Sequence, residues 1–153
     1  MSQEIILMLH PTFGVLALLS AVWIFVEVLN VSANNLARIR TAAVLLALLI
    51  WLAYLVGGYW YVQYYAVDKA IIKAGPWPFA HSFFMETKEH LFFSLLLIAT
   101  YVPLVAWGTP LLTNRSARRL LLALAGLAVL LGLAMEGSGA IVGLGVKMGL
   151  LGR

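Results

Sequence analysis

The sequence predicts an all-α membrane protein, with four transmembrane helices folded as an up-down-up-down bundle. Three observations predict it. The 153 residues are 63% hydrophobic and only 10% charged, and the mean hydropathy is +1.00, well outside the range of water-soluble domains. Four stretches reach the roughly 20 apolar residues a helix needs to cross a hydrocarbon core, where every backbone N–H and C=O must be paired within the segment. Only short connections remain, so residues 1–153 read as one membrane domain.

The first segment runs from Ile5 to Asn30. The residues before it include Glu4 and no basic residue, so the positive n-region of a signal peptide is missing and a retained helix is expected. The second, Thr41 to Tyr65, ends in Tyr59, Trp60, Tyr61, Tyr64 and Tyr65, an aromatic belt suited to a membrane–water interface. Beyond it, Gly75-Pro76-Trp77-Pro78 breaks any helix that continues from this segment. The third segment, Phe83 to Trp107, opens in a dense polar run. The fourth, Leu120 to about Val146, follows Arg115, Arg118 and Arg119.

The net charge of +4 is modest and resides mostly in loops, so it carries topology information and does not suggest a nucleic-acid surface. Arg38 and Arg40 lie between the first two segments, and the other three arginines lie between the last two. Together these are five of the ten basic residues, with no acidic residue among them. The positive-inside rule places these loops in the cytoplasm, with both termini and the 66–82 loop outside a bacterial or archaeal inner membrane. The absence of cysteine excludes a disulfide framework, thiolate zinc sites, iron–sulfur clusters and covalently attached c-type haem.

Counting at about 1.5 Å per residue from the basic ends places His10, His90 and Glu136 at one level, roughly 25–30 Å from the cytoplasmic face. The third segment begins His81-Ser-Phe-Phe-Met-Glu86-Thr-Lys-Glu89-His90. Glu86 and His90, spaced i, i+4, share a helical face and can serve one metal or one hydrogen-bonded cluster. Glu89 points about 100° away. Intramembrane ionisable groups suggest function by default. Plainer readings stand beside this one: Glu86, Lys88 and Glu89 as the polar first turn of a helix, His10 before Pro11 as a cap, and His81 as a solvated loop residue. Glu27 suits a local hydrogen bond to a neighbouring helix.

A weak repeat runs through the chain. With His10 laid over His90, Phe13 meets Phe93, Gly14 meets Ser94 and Ser20 meets Thr100; Ala53 to Gly57 likewise resembles Ala128 to Gly132. A parallel two-helix repeat of this kind sets two histidines symmetrically across the bundle. In a four-helix bundle the first and third segments are diagonal, and two facing histidines are what a six-coordinate b-type haem requires. Gly14, one turn from His10, lets a flat ligand approach the backbone, with Gly57, Gly58 and Gly132 leaving space on other walls.

In helical layout and these two histidines, the sequence resembles small four-helix membrane cytochromes of the b type. The resemblance implies haem b held by His10 and His90 beside Gly14, in an electron-transfer subunit exchanging electrons with quinone or a periplasmic carrier. The carboxylates depart from that pattern. They support a second expectation, a non-haem Fe, Mn or Zn site built from His10, Glu86, Glu89, His90 and Glu136, although the Glu-x-x-His spacing of ferritin-like sites is missing. A third expectation is a cofactor-free transport, assembly or structural role, with Glu136 and His90 relaying protons or binding a cation and Gly139-x-x-x-Gly143 mediating helix contact. A chain this small suits a subunit of a larger membrane complex or a homo-oligomer. No nucleophilic triad, phosphate loop or metalloprotease motif is present, so an independent enzyme is not expected.

Overall fold

The computed structural model describes residues 3–152. Four long helices, α1 (Gln3–Leu29), α2 (Leu36–Ala74), α3 (Glu86–Gly108) and α4 (Arg115–Leu151), form the predicted bundle, and a π-helical segment, Ala80–Met85, leads directly into α3. All four helices are long and apolar enough to cross a membrane, and the chain is an integral membrane protein. Helix α1 packs between α2 and α4, as does α3. Helices α2 and α4 touch across the bundle, whereas α1 and α3 do not approach one another.

Small residues set the interior of the basic half. Ala17 and Ala21 of α1, Ala42 and Ala43 of α2, Ala99 and Ala106 of α3, and Ala125 and Ala128 of α4 are buried among Ile24, Leu46, Leu95, Val102 and Leu121. Small side chains let apolar helices approach closely enough for dispersion to hold them where lipid supplies no hydrophobic drive.

Polar clamps close this end. Asn35 is buried; its Nδ2 donates to Glu27 O (3.1 Å), Glu27 Oε2 (2.8 Å) and Asn30 O (3.1 Å), and its Oδ1 accepts from Ser32 N (2.8 Å). Arg38 grips the same Glu27 carboxylate with Nε at 2.7 Å and Nη2 at 3.2 Å. Glu27 therefore makes the local hydrogen bonds expected of it. Arg40 ties α2 to the end of α3, donating to Ala106 O (3.1 Å) and lying 4.8 Å from the centre of the Trp107 ring. Asn114 caps α4 by accepting from Ala117 N at 3.0 Å.

The opposite, aromatic end extends further than hydropathy suggests. Helix α2 does not stop at Tyr65 but continues to Ala74, and α4 continues to Leu151. With 39 residues, α2 is about 58 Å long against a hydrocarbon thickness of about 30 Å. The extra turns are stabilised by a second small core, Tyr65, Ile72, Ala80, Met85 and Val142, which joins α2, α4 and the π-helical segment. Close backbone contact makes it compact. A Cβ at Gly149 would lie 2.6 Å from Ile71 O, one at Gly75 would lie 2.7 Å from Gly149 Cα, and one at Gly145 would lie 2.7 Å from Ala80 Cβ. The effective small-residue pair is thus Gly145-x-x-x-Gly149. The expected pair Gly139-x-x-x-Gly143 does not form this contact, because Gly139 faces Lys88 and Gly143 faces open space.

Candidate functional site

Three ionisable side chains from three helices converge where the apolar core of the basic half ends. His10 of α1, Lys88 of α3 and Glu136 of α4 line one small cavity of about 20 Å³, together with Gly14, Ile50, Ala53, Phe92, Leu95, Gly132 and Met135. Each side chain rests on a glycine of another helix. His10 lies against Gly57, Glu136 lies against Gly14, and Lys88 Nζ would be 3.0 Å from a Cβ at Gly139. Any larger residue at these glycines would occupy the volume its polar neighbour now fills.

The ring of His10 is oriented by α2. Its Nδ1 is 2.9 Å from Ala53 O; a carbonyl only accepts, so Nδ1 carries the hydrogen and Nε2 is the free ring nitrogen. His10 is not a helix cap, because α1 already begins at Gln3 and passes through Pro11. Among the described residues, neither Lys88 nor Glu136 has an ion-pair partner within 4.0 Å. The cavity between them is large enough for one water molecule with polar neighbours on several sides.

A second polar cluster lies in the small core of the aromatic end. Tyr65, only 1% exposed, has its hydroxyl 3.0 Å from His81 Nδ1, and His81 Nε2 faces Glu86 Oε1 at 3.4 Å. The π-helical turn places His81 there: Glu86 N–H bonds back to His81 O, five residues earlier, and such turns recur at functional sites. His81 is therefore buried and partnered, contrary to its expected place as a solvated loop residue. Glu89 lies beside Tyr61 with its Oε1 buried and unpartnered.

The expected cofactor ligands are separated. His90 is exposed, with its Nδ1–H donated to the Glu86 carbonyl of its own helix at 2.6 Å. It does not line the cavity that holds His10. A porphyrin needs a pocket on the order of several hundred Å³, and the face of Gly14 expected to receive it is taken by Glu136. His10, His90 and Gly14 do not fit a shared haem.

The mixed metal set does not fit either. His10 and Glu136 belong to the inner cavity, Glu86 faces His81, Glu89 turns toward Tyr61 and His90 faces outward. Among the described residues, no group of three or more His, Asp or Glu side chains is placed to hold one ion. The repeat does not produce symmetric environments: Gly132, the counterpart of Gly57, meets Leu18 and not a histidine.

Sequence reasoning passed over Lys88, read as part of a polar first turn, and the Tyr65–His81 pair. Counting depth would have found Lys88, since it lies 19 residues before Trp107, at the level of His10. Compared with known proteins, the chain matches no protein-family model, no curated protein and no solved structure.

Proposed function

We propose that this chain is a proton-handling subunit of a membrane assembly, with His10, Lys88 and Glu136 forming a proton-exchange site in the outer half of the bilayer. The observation that carries this reading is the convergence of three titratable side chains, from α1, α3 and α4, on one small cavity whose remaining walls are largely apolar. Imidazole, ammonium and carboxylate in such proximity titrate as a coupled set, so one proton taken up by any member alters the charge felt by the others. Ionisable groups at this depth are costly, and proton relays are a recurrent use of them.

The site is served from one side. Toward the basic end the core is alanine-rich, and its buried hydroxyl, Ser20, is tied to Leu16 O of its own helix at 2.9 Å. With the basic loops on the cytoplasmic side, the open direction leads to the outer aqueous phase. The chain is half of a pathway, and a partner subunit or a second copy supplies the rest.

Infrared titration of the protein in lipid nanodiscs tests this. The expected result is a protonated-carboxyl band that appears as pH is lowered, disappears in Glu136→Gln and changes its pH response in Lys88→Met. A spectrum with no Glu136-dependent band at any pH would overturn the proton-exchange site and leave the cluster a structural feature of the bundle.

A further inference from the structure

Resting on that reading, we propose that Tyr65, His81 and Glu86 form the port through which the inner site exchanges protons with water at the aromatic end. The bonding pattern has a direction. His81 Nε2 lies 3.4 Å from Glu86 Oε1, within ion-pair range; with the ring hydrogen on Nε2 toward the ionised carboxylate, Nδ1 accepts the O–H of Tyr65 at 3.0 Å. A fully buried phenol is thereby linked to solvent through one imidazole, since the side chain of His81 is 3% exposed and that of Glu86 is 47% exposed.

Depth places the port where water begins. Tyr65 lies 25 residues beyond Arg40 on α2, about 38 Å along the helix and past a hydrocarbon layer of about 30 Å. Gly57, the seat of His10, lies 17 residues beyond Arg40, about 25 Å along and still within that layer. Between them, Ala53, Gly57, Tyr61 and Tyr65 are spaced by four and form one stripe on α2. Tyr61 stacks on Tyr65 with ring centres 5.0 Å apart, and the unpartnered Glu89 oxygen beside it provides a halfway station.

In the proposed route a proton leaving the inner site passes to Glu89, the neighbour of Lys88 on α3, and to Tyr61, one turn beyond Gly57 on α2. Tyr65 receives a proton on oxygen as it gives its own to His81 Nδ1, while Nε2–H goes to Glu86, which releases it to water. One O–H or N–H bond forms for each that breaks, and neither ring retains a charge. Lys69 and Lys73 of α2 and Glu86 and Glu89 of α3 are the charged groups around His81.

The test is the rate at which the Glu136 carboxyl band responds to a rapid pH step in nanodiscs. Tyr65→Phe and Glu86→Gln are expected to slow it by about tenfold or more while leaving its final amplitude unchanged, because a relay controls rate and not equilibrium. Glu86→Gln is half-exposed and keeps the trial valid if the buried variant does not fold. Unchanged rates in both variants overturn the port and leave the inner site standing. A band that never titrates, even in the unaltered protein, removes the inner site and the port with it.

Discussion

The carboxylate of Glu136 rests against the backbone of Gly14, one helix away, in the space any Cβ at position 14 would occupy. A residue that appears in the sequence as room for a ligand is the seat of an acidic side chain of the same chain. Gly14→Ala should therefore displace Glu136 and destabilise the bundle by about 1–3 kcal/mol, the usual range for overpacking. Gly58→Ala, where a Cβ meets nothing within 4 Å, is the control and should melt at or above the unaltered protein in detergent.

Lys88 and Glu136 share one cavity, and removing either leaves the other half-buried without its opposite charge nearby. Thermal unfolding of Lys88→Met, Glu136→Gln and the double variant should show the double to be less damaged than the sum of the singles, by about 0.5–3 kcal/mol. Strict additivity would mean that the two groups do not sense each other.

The two histidines should respond differently. His10→Ala removes the extra hydrogen bond to the Ala53 carbonyl and leaves a void against Gly57, and is expected to cost roughly 1–3 kcal/mol. His90→Ala removes an exposed ring bonded only to its own helix, and should remain within about 0.5 kcal/mol of the starting protein. Equal losses in the two variants, accompanied by loss of a Soret band, would place both on one haem.

At the aromatic end, Gly149→Ala should push α4 from Ile71 and loosen the small core around Tyr65, at about 1–3 kcal/mol. Gly143→Ala, two turns away in open space, should not. Tyrosine and tryptophan fluorescence would register the difference, since Trp60 and Tyr61 pack on that core.

At the basic end, Asn35 joins the last turn of α1 to the start of α2 through Glu27, Asn30 and Ser32. Asn35→Ala should cost roughly 1–3 kcal/mol, because the backbone groups it satisfies are left unpaired. Arg38→Ala removes an exposed ion pair and should produce a smaller, salt-sensitive change in melting temperature.

Four apolar stretches and two basic loops were enough to establish the helical bundle, because a membrane leaves the backbone few alternatives. Depth counting placed His10 and Glu136 at one level for the same reason, since the rise of a helix is constant. What depth does not encode is rotation. Whether His90 turns inward or outward depends on the phase of α3, and that phase passes through a π-helical turn with no clear signature in the sequence. The extension of α2 past Tyr65 and of α4 past Val146 depends on Gly75, Gly145 and Gly149 meeting across two helices, a contact between distant parts of the chain. Composition and periodicity thus determined the class of protein, its four spans and the level of its polar groups. Tertiary packing alone decided that His10 would meet Lys88 and Glu136 and not His90, because helix faces are chosen by which glycines admit which side chains.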